Sequence, residues 1–284
     1  MTPVFQRFAA IDWSGAKGKR PKGIAIALCE AGNKAPVLVR PDHVWSRTEV
    51  LDWLLAEAPI APTLFGFDFS AAPPIAARGE YLPGERDVPT EAKAFWAYVD
   101  RVSDDEDLGA ASFLEQVHRR HFYFGAADGP KRDFLHHRVC EQAFNATGGG
   151  KASTLYDAIG AAQVAKASFA GMRLLHALDG RVPVWPMDPL PEAGSVVVEI
   201  YTRAFIRHAG LSGRKVRTLA QMNVALAAFG SRPAKLPREP TDHETDVQIA
   251  AAGLRAIAGD AAYWSPKDLT PDLARTEGWT FGVA

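Results

Sequence analysis

The 284 residues carry 32 lysines and arginines against 33 acids, a formal charge of −1, and 47% of them are apolar. That balance excludes a disordered, collagenous or coiled-coil chain, and it excludes whole-chain attraction to nucleic acid or anionic lipid, so any polyanion site has to be local. The two cysteines, Cys29 and Cys140, lack C-x-x-C spacing, and no run approaches the ~20 apolar residues of a membrane helix, so two buried thiols in a cytoplasmic protein without a membrane partner are expected.

RFAAID, at 7–12, is short, apolar and ends on Asp12, and the Gly-, Lys- and Pro-rich WSGAKGKRPKG after it reads as a turn. Two further β-rich runs, 23–30 and 35–40, complete an antiparallel meander. Ser46, with Glu49 three residues on, opens a helix whose Val50, Leu51, Leu54 and Leu55 recur at helical spacing as far as Pro59. A fourth strand over 63–70 contains Asp68. Strand signals then fade, predicting a mostly helical segment in which acid-rich, Pro-containing 80–107 supplies an exposed loop. Strand character returns in SVVVEIYT, at 195–202, and helices are predicted over 216–229 and 241–257, the last strongly organised segment before the tail. The pattern is an α/β core of residues 1–72 and 181–284 with a large, mostly helical insertion over 73–180 that departs and returns beside the acids and so packs as a lid over them.

Asp12, Asp68 and Glu199 each end or interrupt an apolar β-like run, where a carboxylate is costly unless it is paired, hydrogen-bonded or bound to a cation. Carboxyl ends of neighbouring strands face one crevice, so Asp12 and Asp68 converge if the first and fourth strands adjoin. In DHETDVQIAAAGLRAI, His243 and Asp246 share a helical face, close enough to the N-terminus for the helix dipole to favour the acid. Asp12, Asp68 and Asp246 are expected to hold metal, with Glu199 at the edge of the shell and open to capture by an arginine. Hard carboxylate oxygens without cysteine or paired histidine suit Mg²⁺ or Mn²⁺, which would assist phosphodiester hydrolysis with His243 moving a proton.

An Asp on the first strand (AAIDWSG), an Asp on the fourth (GFDFS) and an H-x-x-D opening the last long helix (HETD) resemble the carboxylate set of the ribonuclease H-like superfamily. Together with KASTLYDAIGAAQVAKASFAGMRLLHAL, VVVEIYT and EGWTFG, in this order, they resemble the bacterial family known as domain of unknown function 429 over nearly the whole chain. The resemblance implies a ribonuclease H-like mixed sheet flanked by helices and a nuclease-like activity. The chain departs from that family at Asp246-Val247, where an Asp-Ala pair is common, and at Tyr201-Thr202, where Tyr-Pro is common. DWSGAKGKRPKGIAIA also resembles the phosphate hairpin of sugar kinases and actin-like ATPases, which leaves an ATP-dependent phosphotransferase, or a non-catalytic adaptor, as alternatives.

Residues 203–238 hold eight Lys or Arg and no acid. A DNA or RNA substrate needs such charge to position its phosphates, and Arg203, Arg207, Arg214, Lys215 and Arg217 are the candidates. HRRHFYF, at 118–124, interleaves bases with aromatics as base-stacking surfaces do, although aromatics on a helix are more often core. GGGK, at 148–151, lacks the first glycine and the Ser/Thr of a phosphate loop and reads as an interhelical turn.

Overall fold

The computed structural model describes residues 2–148, 151–159, 164–211 and 215–284. In chain order the elements are β1 Arg7–Asp12, β2 Ala25–Glu30, β3 Val37–Leu38, α1 Arg47–Glu57, β4 Thr63–Asp68, α2 Ala92–Val102, α3 Val139–Ala146, α4 Val164–Ala177, β5 Val184–Trp185, β6 Val196–Ile200, α5 Thr202–His208, α6 Leu219–Ala228, α7 Asp242–Ile257, α8 Ala261–Trp264, α9 Pro271–Thr276 and β7 Thr280–Phe281. One seven-stranded mixed sheet runs β3-β2-β1-β4-β6-β5, with β7 also on β6. β1 to β3 form the antiparallel meander, whereas β1, β4, β6, β5 and β7 are parallel. Both predicted capping residues open α1: the Ser46 hydroxyl accepts from the Glu49 amide, and the Glu49 carboxylate accepts from that of Ser46.

Helices cover both faces of the sheet. Ala9, Ile11, Phe65, Phe67 and Val197 face a cluster shared with α1, α2 and α4. Phe8, Ala10, Leu64, Val196 and Val198 face the layer of α5, α6 and α7. Segment 73–180 thus contributes α2 and α4 to one face of the sheet, and α3 adds Cys140 and Phe144 to the cluster on the other. No helix among the described residues is long and apolar enough to cross a membrane. Both cysteines are buried and free.

Three sequence expectations change. Segment 73–180 is not mostly helical: among its described residues α2, α3 and α4 are separated by irregular chain and single turns, because Pro83, Pro89, Gly109, Gly125, Gly129 and Pro130 interrupt helical hydrogen bonding. The exposed loop expected within 80–107 is found at 83–91, but the same stretch also contains α2, whose Phe95, Trp96 and Val99 are buried. The tail adds β7, too short to show a periodicity but anchored by buried Trp279 and Phe281.

The segment is tied to the sheet through one buried guanidinium. Arg138, 1% exposed, donates to both carboxylate oxygens of Glu199 on β6, to Glu141 on α3 and to the Glu277 carbonyl before β7. Glu277 accepts in turn from the backbone amides of Ile75, Ala76 and Val139. Desolvation opposes burying these charges, and the arrangement is tolerable because nearly every oxygen has a donor. Arg138→Ala would leave Glu141 and Glu199 buried without their cation and is expected to cost about 3–5 kcal/mol in urea unfolding. Arg275→Ala, at an exposed pair with Glu91, should cost under about 1 kcal/mol. Equally small losses would show that the network does not hold the sheet end.

Candidate functional site

Alternation along the strands decides which acids meet. Asp12 follows Phe8 and Ala10 onto the α7 side of the sheet, and Asp68 follows Leu64 and Gly66 there. The parallel register places Asp12 directly opposite Asp68. α7 packs against β1 and β2 and brings its first two turns to the strand ends. There the Nδ1–H of His243 donates to Asp12 Oδ2 at 2.6 Å. The ring fits because the β1–β2 connection passes it at Gly23, whose φ is +114° and where a Cβ would sit 3.2 Å from the imidazole.

Asp68 accepts a 2.8 Å hydrogen bond from the Thr202 hydroxyl at the start of α5. Burial first, and then the charge of Asp12, push the Asp68 carboxyl up to about 8 despite that bond. Asp246 is pushed up to about 7 by the same two causes, burial leading. The hydrogen bond to Asp12 raises His243 above its usual value. These groups border a cavity of about 700 Å³. Its far wall comes from segment 73–180, including Phe144 on α3, Ser153 and Lys166 on α4.

The turn after β1 is also built into this wall. Buried Arg47, the first residue of α1, donates to the carbonyls of Ser14, Ala16 and Gly18. Glu115 receives Lys17 from that turn and Lys166 from α4. Gly15, packed against the α4 backbone, leaves no room for a side chain.

Asp12, Asp68, His243 and Asp246 therefore come together as the sequence suggests, but Glu199 does not join them. It pairs with Phe67, one residue short of the Asp68 level, and so lies on the opposite face. Its carboxylate is held there by Arg138, the Ala71 amide and the Thr280 hydroxyl. An arginine does capture it, though not neighbouring Arg203. Of the basic candidates, Arg203 and Lys215 line the cavity, and Lys215 lies 3.3 Å from Asp242. Arg207 is corrected to a packing role: its guanidinium stacks 3.6 Å from the Phe144 ring centre and donates to the carbonyl of that residue. Arg217 is exposed and does not line the cavity, while Arg214 lies outside the described residues. In HRRHFYF, Phe122 is core, fully buried against Phe113, Tyr156 and Phe169, while half-buried Tyr123 and Phe124 lie beneath Lys131 and Arg119. GGGK falls partly outside the described residues. Thr202, Gly23 and Arg47 were missed, because their partners are remote in sequence.

No protein-family model, curated protein or solved structure matches the chain.

Asp68 and Asp246 keep protons in the folded chain to higher pH than in the unfolded one. Between about pH 4 and 8 the native state therefore binds more protons, and stability falls as pH rises through that window. His243, also raised, acts in the same direction. Asp68→Asn should accordingly stabilise the metal-free protein, and by more at pH 8 than at pH 5. Urea midpoints with chelator present check this, and a pH-independent difference would remove Asp68 from the cluster.

Proposed function

We propose that the chain is a divalent-metal-dependent nuclease with a ribonuclease H-like core, hydrolysing phosphodiesters of DNA or RNA, in keeping with the resemblance to the domain of unknown function 429 family. One observation carries the reading: Asp12, Asp68 and Asp246 converge from two adjoining strands and a helix, and among the described residues none of them forms an ion pair with lysine or arginine. Asp68 and Asp246, whose proton affinity is raised by burial and then by the charge of Asp12, offer oxygens to a cation that would relieve that repulsion.

The donor set fits Mg²⁺ or Mn²⁺, being hard oxygen without cysteine or paired imidazole. Asp12, Asp68 and Asp246 would hold the ion, which when bound neutralises phosphate charge and acidifies a water. Thr202 fixes the rotamer of Asp68 by donating to one of its oxygens. His243 is half exposed at the cavity edge and held through Nδ1, so it can carry a proton and return it to a leaving oxygen. Arg203 and Lys215, which line the cavity, would position phosphates. Glu199 and Arg207 take structural roles.

The turn at 14–16 bordering a cavity of nucleotide size favours a second reading, an ATP-dependent phosphotransferase. Against it, the described residues build one sheet, whereas actin-like enzymes duplicate the core. Cleavage of labelled DNA and RNA with Mg²⁺ or Mn²⁺ tests the choice. Asp12→Asn and Asp246→Asn should each lower the rate by about 10³-fold or more with the fold retained, since each would withdraw several kcal/mol of charge stabilisation. ATP turnover without cleavage would favour the phosphotransferase, and binding with neither activity an adaptor. Arg203→Glu with Lys215→Glu should weaken DNA binding alike across sequences and flatten its log–log salt slope, by about 0.9 for every phosphate that the variant no longer neutralises. An unchanged slope would take these two residues out of the interface.

A further inference from the structure

We propose that Glu85, His118 and His121 form a second metal site, separate from the carboxylate cluster and suited to a transition-metal cation of the zinc class. Glu85 lies in the irregular chain between β4 and α2, while His118 and His121 belong to consecutive tight turns after it. None of the three lines the carboxylate cavity.

Three observations converge. The ligand atoms lie within 4.8 Å of one another. Glu85 Oε1 is 2.8 Å from His121 Nε2 and 3.6 Å from His118 Nδ1. Bonds of 2.0–2.1 Å to a tetrahedral ion would set such atoms about 3.3 Å apart, so both distances from Glu85 lie within about half an ångström of what a shared cation requires.

The second observation is an orphan. His118 is 3% exposed, yet its Nδ1 has no hydrogen-bond partner, 3.6 Å being too long for one. Buried ring nitrogens are seldom left so. The third is how that ring is held: His118 Nε2 lies 2.9 Å from the Tyr98 hydroxyl. With Nε2–H donating to Tyr98, the Nδ1 lone pair faces Glu85 and His121, the outer-shell arrangement that orients a metal-bound imidazole. Burial lowers the proton affinity of both histidines, which leaves their lone pairs free at neutral pH.

Two imidazoles and one carboxylate select zinc-class ions, whereas the all-carboxylate cluster suits oxygen-seeking ions, so the two sites would not compete for one metal. Binding would clamp the chain around residue 85 to the turns at 118–121. Arg120 works against it: its Nε lies 2.9 Å from the same Glu85 oxygen, on the solvent side, and occupies that oxygen when no cation does.

Co²⁺ serves as a visible probe, in the chain carrying Asp12→Asn and Asp246→Asn so that the carboxylate cluster is silent. One equivalent is expected to give d–d absorption that Zn²⁺ abolishes by displacement. Tyr98→Phe should weaken binding about 10-fold, Glu85→Gln and His121→Asn more than that, and Arg120→Gln should tighten it. Absence of bound Co²⁺ at micromolar concentrations, or binding undiminished in a folded His121→Asn protein, overturns the site. Should His121→Asn not fold, X-ray absorption of the zinc-loaded parent decides: two imidazoles in the shell support the proposal, and an all-oxygen shell refutes it. Neither result depends on nuclease activity.

Discussion

In-register pairing of β1 with β4 sets two carboxylates side by side at the end of a sheet, and the rest of the site is a response to that constraint. Adjacent strands run about 4.8 Å apart, close enough for like charges to act strongly where water is partly excluded. The chain offers little relief. Thr202 donates to Asp68, and His243 donates to Asp12. α7 then adds a third acid, Asp246, and the protons retained by Asp68 and Asp246 are the remaining compensation in the absence of a cation. A purely structural use of these acids would have supplied a guanidinium.

Such a guanidinium exists a few residues away, on the other face. Glu199, Glu141 and Glu277 are buried at least as deeply as the aspartates, yet Arg138 and a set of backbone amides satisfy them. The protein therefore contains two carboxylate clusters of opposite character within one sheet end. Both border the same cavity, but one is satisfied by Arg138 and joins segment 73–180 to the strands, whereas the other has no guanidinium and is charge-frustrated. Comparing them separates the structural acids from the available ones on physical grounds, because burial alone does not distinguish them.

Much of this was legible along the chain. The meander, the Ser46–Glu49 box and the α7 stripe are local patterns, so they survive folding unchanged. Asp12 and Asp68 announced themselves by ending apolar runs whose lengths match. Glu199 misled for a definable reason: the face it takes depends on how β6 is registered against β4, and a shift of one residue reverses it. The basic run misled because net charge carries no direction; Arg207 turns inward onto Phe144 while Arg203, one turn earlier, faces the cavity. Arg138 and Arg47 act on partners up to 139 and 60 residues away, and a single sequence holds no trace of such couplings. Glu85 with His118 and His121 was invisible likewise, since the acid arrives from a loop more than 30 residues upstream.

α7 shows how the protein supports an unfavourable cluster. Its N-terminus favours anions through the helix dipole, and Thr241 with Glu244 forms a capping box that fixes where the helix starts. Glu244 is further held by Arg238, so the cap is doubly secured. Beyond the site the helix is rich in alanine, and at Gly253 a Cβ would lie 2.3 Å from the Phe205 ring, so α7 lies close against both the sheet and α5. Close packing over four turns outweighs repulsion confined to the first two. The same rigidity keeps His243 and Asp246 at a fixed height above the strand ends, which loop-borne ligands could not match. The helix thus stabilises the fold with its apolar length and holds charge where the fold alone would not place it.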